Sequence, residues 1–298
     1  MKGMMDPMEP MVIVTGRAGQ LLPEWKTAVR ECHDRGLSTV TIVPEQYTLQ
    51  AERELLQALG TPGLLTDEVL SPSRLRLRVC EQVGRPALTP LDELGRQMTV
   101  SCVMRDVKSE LKLYGASVEQ LGMPGRVAEL LTELGRSGIT PEQLRSQAKA
   151  EDESSLTGKR FTDLALILEA YEKAIGGRFT DEAGQQAWTA EHLAESGVLT
   201  DACVFVYGFD MLQPPFCRIL LSAMSCAHSV RVLMVSTPGT GDGYIFEAQE
   251  QSLRCLRGML YYAGLEQMNI TSRMAKPPRA PGLTHLEENL FNRAPACL

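Results

Sequence analysis

Residues 11–19 read MVIVTGRAG and residues 38–43 read STVTIV. Both are short, β-branched, apolar runs, and each is halted by a turn residue, Gly16 in the first case and Pro44 in the second. That is the pattern of a strand buried on both faces of a parallel sheet. Between them, Pro23 to Arg35 carries helical periodicity and stops at Gly36, a residue suited to a helix end. A second helix is predicted from Gln46 to Leu59, stopped by Gly60. Strand, helix, strand, helix at this spacing is the βαβ arrangement. Outward from there, Glu68 to Leu70 reads as a weaker strand. Ser71-Pro72 then supplies a helix cap with proline in the first turn, and the helix runs to Val83 before Gly84.

From Thr89 to Gly176 strand signals vanish. Apolar residues recur at helical spacing instead: Leu91, Leu94, Met98 and Cys102, then Val127, Leu130, Leu131 and Leu134, then Leu164, Ile167, Leu168 and Tyr171. The polar stretch Ala150 to Gly158 reads as a loop. Strand character returns in residues 202–207, ACVFVY, and in residues 230–236, VRVLMVS, with helices expected from Pro214 to Ala227 and from Ile245 to Ala263. The expectation is an α/β fold with a parallel sheet of five core strands and an all-helical insertion. The core would be residues 1–88 and 177–275, the insertion residues 89–176, and the tail residues 276–298.

Composition narrows the function. Thirty-seven acidic against 30 basic side chains leave a net charge of −7 over 298 residues. Nucleic acid is then not gripped by overall charge, because phosphate binding draws on Lys and Arg. Aromatics are only 5%, which disfavours an all-β sandwich or an extended base-stacking platform. No apolar run approaches the ~20 residues that span a bilayer, and MKGMMDPMEP does not read as a signal peptide. Eight cysteines without a C-x-x-C pair read as reduced thiols of a cytoplasmic protein. Four scattered histidines give no metal-ligand spacing.

The turn Gly16-Arg17-Ala18-Gly19 stands where a P-loop would begin. That loop, G-x-x-x-x-G-K-[ST], needs a second Gly, a Lys for the terminal phosphates and a hydroxyl for magnesium. Counting from Gly16, those places hold Leu21, Leu22 and Pro23. The turn is read as a degenerate nucleotide loop of Gly16, Arg17 and Gly19. ATP and magnesium are not expected, and no catalytic residue is assigned. The end of the strand in residues 202–207 agrees: Tyr207 stands where an ATPase carries a magnesium-holding acid, and Asp210 comes three residues late. Ligands of open α/β sheets lie beyond the carboxyl ends of the strands, so Gln46 and Thr48 are placed to meet one. The alternative is a solvated helix start. Arg74 and Arg78 share a helix face; they fit phosphates, or equally ion pairs with Glu81 or Asp67.

Taken in order, these segments resemble a known family. They are Val14-Thr15-Gly16-Arg17-Ala18-Gly19; Val43-Pro44-Glu45-Gln46-Tyr47-Thr48 with Gln50 and Glu52; Leu70-Ser71-Pro72-Ser73-Arg74; Leu94-Gly95-Arg96; Glu133-Leu134-Gly135-Arg136; Asp163-Leu164; and Tyr207-Gly208-Phe209. The chain is similar to the N-terminal, helicase-like part of the B subunit of AddAB-type ATP-dependent helicase–nucleases. That resemblance implies a RecA-like core of the superfamily 1 helicase type. It also implies a partner helicase A subunit, DNA ends and single-stranded DNA as ligands, and a role in double-strand break repair by recombination. By motif position Gln46, Thr48, Arg74 and Phe209 would line the DNA path. The family often has aromatics where Pro72 and Leu77 stand, which removes stacking partners here. The family's iron–sulfur cluster belongs to a downstream region with no match in this chain, so the chain reads as a fragment or a reduced homologue, and the ending Leu286-Glu287-Glu288-Asn289-Leu290-Phe291, which resembles the stretch before the family's next domain, favours a fragment. Two other readings stay open. One is a working P-loop enzyme that uses Lys26 and Thr27, and the other is a scaffold that docks the partner.

Overall fold

The computed structural model describes residues 11–17, 19–236, 243–264, 271–274 and 280–291. Six strands form one sheet: β1 (Val12–Gly16), β2 (Thr39–Ile42), β3 (Asp67–Leu70), β6 (Cys203–Val206), β7 (Ser229–Val235) and β8 (Thr271–Met274). Its order is β3-β2-β6-β7-β1-β8, and every pairing is parallel. The sequence predicts five strands; the sixth, β8, pairs with β1 from Val12 opposite Thr271. Its sequence, TSRM, has neither an apolar run nor alternation, so nothing in the residues signals it.

The strands form where both faces are covered. β2 and β6 are buried at all four positions, and β1 at all but its first. The helix α1 (Leu21–Asp34) lays Leu21, Trp25, Ala28, Val29 and Cys32 on one stripe against them. The helix α2 (Thr48–Leu59) buries Ala51, Leu55 and Ala58, and stops at Gly60, whose φ of 67° is the left-handed conformation a side chain resists. The helix α3 (Pro72–Val83) starts as expected, with the Ser71 hydroxyl accepting the Arg74 N–H.

The described chain falls into two compact units. The first takes the residues up to Gly84, Thr189–Leu212 and those from Phe216 on, and holds the sheet. The second is Arg85–Trp188 with Gln213–Pro215. It contains α4 (Glu93–Asp106), α5 (Met123–Arg136), α6 (Pro141–Ala150) and α7 (Leu156–Ile175). Its core gathers Val100, Met104, Val127, Leu131, Ile167, Leu168 and Tyr171. It is not free of strand: β4 (Thr89–Pro90) and β5 (Phe179–Thr180) make a two-residue parallel pair. The expected loop of residues 150–158 is shorter, because Ser155 caps α7, its hydroxyl accepting the Gly158 N–H. Three more helices follow along the chain, α8 (Glu182–Ser196), α9 (Pro214–Met224) and α10 (Glu247–Tyr262). Part of the expected tail is helical, as α11 (Pro281–Asn289).

Among the described residues no helix is long and apolar enough to cross a membrane. The seven described cysteines are all free thiols. Cys32, Cys80, Cys203 and Cys217 are buried, whereas Cys102 is exposed.

Candidate functional site

Two groups of turns leave the carboxyl ends of the strands, and they are built differently. The turn after β1 closes on itself. The Arg17 N–H donates to the Gln20 side-chain oxygen at 2.9 Å, and the Gln20 N–H donates back to the Arg17 carbonyl at 3.0 Å. Both residues are buried, and Gly19 takes a φ of 85° to make the reversal. The helix then begins at Leu21, two residues earlier than the periodicity predicts. Leu21, Leu22 and Pro23 are therefore the first turn of α1, with Leu21 in the core and Pro23 lacking an N–H. The Arg17 amide is bonded to Gln20, and Leu21, Leu22 and Pro23 carry neither an ammonium nor a hydroxyl.

Lys26 and Thr27 both have partners within the protein. Lys26 pairs with Glu54 of α2, which holds the Glu54 carboxyl below its ordinary range. The Thr27 hydroxyl donates to the Pro23 carbonyl at 2.9 Å. At the end of β6, Tyr207 is likewise committed to packing. Its ring stacks on Trp25 at 5.4 Å, with an interplanar angle of 7°, and meets the Tyr47 ring edge-on at 5.8 Å. Burial, with Tyr47 and Glu54 nearby, pushes its phenol upward. The Trp25 Nε1–H donates to the Thr41 hydroxyl at 3.2 Å. Aromatic packing thus occupies the end of β6.

The second group lies at the ends of β3, β2 and β6, which are adjacent in the sheet. After β2, Pro44 leads into a tight 3-10 turn, Glu45–Tyr47, rather than straight into a helix. Gln46 is exposed on that turn, and Thr48 opens α2 with its hydroxyl donating to the Glu45 carbonyl at 3.2 Å. After β3, Arg74 projects from the first turn of α3 and pairs with Glu52 at 3.3 Å. Arg78 pairs with Glu68, and with Glu81 at 3.7 Å. Asp67 is not its partner. That carboxylate is buried and accepts from the Thr39 hydroxyl at 2.6 Å, with His33 Nδ1 at 2.9 Å. After β6, Gly208 has a φ of 82°, and a Cβ there would lie 3.4 Å from the Tyr47 ring and 3.5 Å from Pro44. This close approach sets the β6 turn against the β2 turn. Phe209, half-buried, stacks on Phe216 at 5.1 Å. The fold therefore brings Gln46, Thr48, Arg74 and Phe209 to three neighbouring strand ends. Gly16, Arg17 and Gly19 lie at β1, with β7 between β1 and β6.

One residue of this region, Glu45, belongs to the Val43–Thr48 segment of the sequence but is given no role there. The Glu45 carboxylate accepts the Ser73 N–H at 3.1 Å and also the Ser73 hydroxyl. Burial pushes its carboxyl up, but the hydrogen bonds from Ser73 and Ser71 and the charge of Arg74 together hold it below its ordinary value. Glu45 and Ser73 are 28 residues apart. Only the pairing of β2 with β3 makes them neighbours. No group of His, Cys, Asp and Glu among the described residues is arranged to hold a metal ion.

Known proteins share this arrangement of segments. A family model described as "ADDB, N-terminal" matches residues 14–287. The chain belongs to that family. Its curated relatives are named as the B subunit of an ATP-dependent helicase/deoxyribonuclease. The protein of Geobacillus kaustophilus is 29% identical over 94% of this chain and 25% of its own length. That of Desulforudis audaxviator is 30% identical over 94% of this chain and 25% of its own length. That of Symbiobacterium thermophilum is 34% identical over 76% of this chain and 20% of its own length. The chain thus spans about a quarter of the length of these relatives. The family match runs through both compact units.

Proposed function

We propose that this chain is a helicase-like domain without an ATPase centre of its own, which binds and guides single-stranded DNA. It would work beside a helicase A subunit in a helicase–nuclease that processes double-strand breaks for recombinational repair, in the cytoplasm where that DNA lies. We read the parallel sheet as a RecA-like core and the helical unit as an insertion into it. The names of the relatives support the DNA setting, since each is the B subunit of an ATP-dependent helicase/deoxyribonuclease.

The observation that carries the reading is the contrast between the strand ends. The β1 turn spends an amide and its side chains inside the protein, whereas the turns after β2 and β3 hold Gln46 and Arg74 in solvent. Gln and Arg can bond base edges and phosphates, and Phe209 adds a ring at the neighbouring turn. Affinity then comes from a local path and from the partner, because the chain as a whole repels phosphate.

The test is titration of fluorescein-labelled single-stranded DNA with the chain, alone and with the A subunit. The expected result is weak binding that weakens further with salt, reduced by Gln46→Ala and Arg74→Ala together. Absence of binding in both settings overturns the DNA role. Calorimetry with a non-hydrolysable ATP analogue and magnesium should give a flat trace. Heat of binding that Lys26→Ala abolishes would restore the ATPase reading.

A further inference from the structure

We infer that Glu45 is a positioning residue, which fixes the β2 turn on the start of α3 so that Gln46, Thr48 and Arg74 meet a nucleic-acid strand as one unit. The inference rests on the DNA reading above and deepens it.

The geometry is local and complete. Helix starts leave backbone N–H groups without partners inside the helix. In α3, Pro72 has none to offer. The Ser73 N–H goes to the Glu45 carboxylate at 3.1 Å. The Arg74 N–H goes to the Ser71 hydroxyl at 3.3 Å, and the Leu75 N–H to the Ser71 carbonyl at 2.8 Å. Every donor of the first turn is thus occupied, one of them by a side chain from the neighbouring strand's turn. A carboxylate at a helix N-terminus is favoured by the helix dipole. Ser73 strengthens the tie by giving its hydroxyl to the same oxygen, and that hydroxyl lies 3.3 Å from the Ser71 hydroxyl.

Two consequences follow. A phosphate passing over α3 meets the Arg74 guanidinium rather than the helix amides, since Glu45 already fills the place at which those amides would bind an anion. Gln46 is also bonded in the chain directly to the residue that holds α3. Any shift of Arg74's helix start is therefore transmitted to Gln46 through one side chain. Glu45 itself needs no contact with DNA.

The experiment has two arms, both on the 298-residue chain. The first needs no DNA. Hydrogen exchange of the Ser73 amide should speed up by about tenfold in Glu45→Ala and by less in Glu45→Gln, which keeps one acceptor oxygen, while core amides such as that of Leu55 stay protected. The second is a double-mutant cycle of Gln46→Ala and Arg74→Ala on the affinity for a fluorescein-labelled oligodeoxythymidylate. With Glu45 present the two effects should be non-additive by about threefold or more, and in the Glu45→Ala background they should multiply independently. Glu45→Gln should recover part of the coupling. Unchanged Ser73 exchange in Glu45→Ala overturns the tie. Normal binding with independent Gln46 and Arg74 effects overturns the positioning role alone. A wild-type chain that does not bind the oligonucleotide overturns the DNA reading and this role with it.

Discussion

The polar side chains that matter most differ between the two compact units. In the helical unit the decisive one is buried. Asp163 of α7 is fully inaccessible, and its two carboxylate oxygens accept the consecutive N–H groups of Lys112 at 2.8 Å, Leu113 at 2.8 Å and Tyr114 at 2.9 Å. It holds an irregular segment some 50 residues away against the core, supplying the bonds that the segment cannot make for itself. In the sheet unit the candidate site is made of exposed and half-buried groups at strand ends, Gln46 and Arg74 being the exposed ones. A buried acid of the first kind is part of the fold. Exposed groups of the second kind are open to selection for what they bind.

The largest effect should come from breaking the buried anchor. Asp163→Ala leaves three part-buried amides without their acceptor, which should cost about 3 kcal/mol. Hydrogen exchange followed by mass spectrometry should show α4, α5 and α7 losing protection while β1, β2 and β6 keep theirs. Equal loss in both sets would mean that the units unfold as one, and the contrast would fall.

A glycine pair sharpens the comparison at a smaller scale. A Cβ on Gly158 would overlap the Asp152 carbonyl oxygen and lie 2.8 Å from the Cα of Glu153, so the backbone itself must move. Gly158→Ala should cost about 1–3 kcal/mol. Gly60 has open space around it but a φ of 67°. Gly60→Ala should cost about 1 kcal/mol, for conformational reasons alone. Asn, which tolerates that conformation, should recover stability at Gly60 and fail at Gly158. Urea unfolding of the four variants decides it.

How far the residues speak for themselves differs from element to element. The buried strands β1, β2, β6 and β7 are legible because each is an apolar run between turn residues. The start of α3 is legible because Ser71-Pro72 is a local signal. The strand β8 is not, since TSRM becomes a strand by pairing with β1. The short pair β4 and β5 is likewise made by tertiary contact, far from any run of β-branched residues. The departure of the β1 turn from the P-loop pattern can be counted directly as Leu21, Leu22 and Pro23. The reason it is closed cannot, because the tie of Gln20 to Arg17 is geometry. Glu45 is hidden for the same reason, as is the loss of Lys26 to Glu54 across two helices.

The smallest effect is the most informative for function. Arg74 and Glu52 form an ion pair at 3.3 Å with side chains 55% and 37% exposed, and such pairs contribute little. Arg74→Ala should therefore change stability by less than about 0.5 kcal/mol, read as an unchanged urea midpoint. The same substitution should weaken single-stranded DNA binding and flatten its salt dependence, since a guanidinium that contacts phosphate releases a counterion. A change in affinity without a change in stability is the signature of a side chain kept for a ligand. A fall in the midpoint comparable to that of Gly60→Ala would instead make Arg74 a brace between α2 and α3. The exposed strand ends would then belong to the architecture, as Asp163 does.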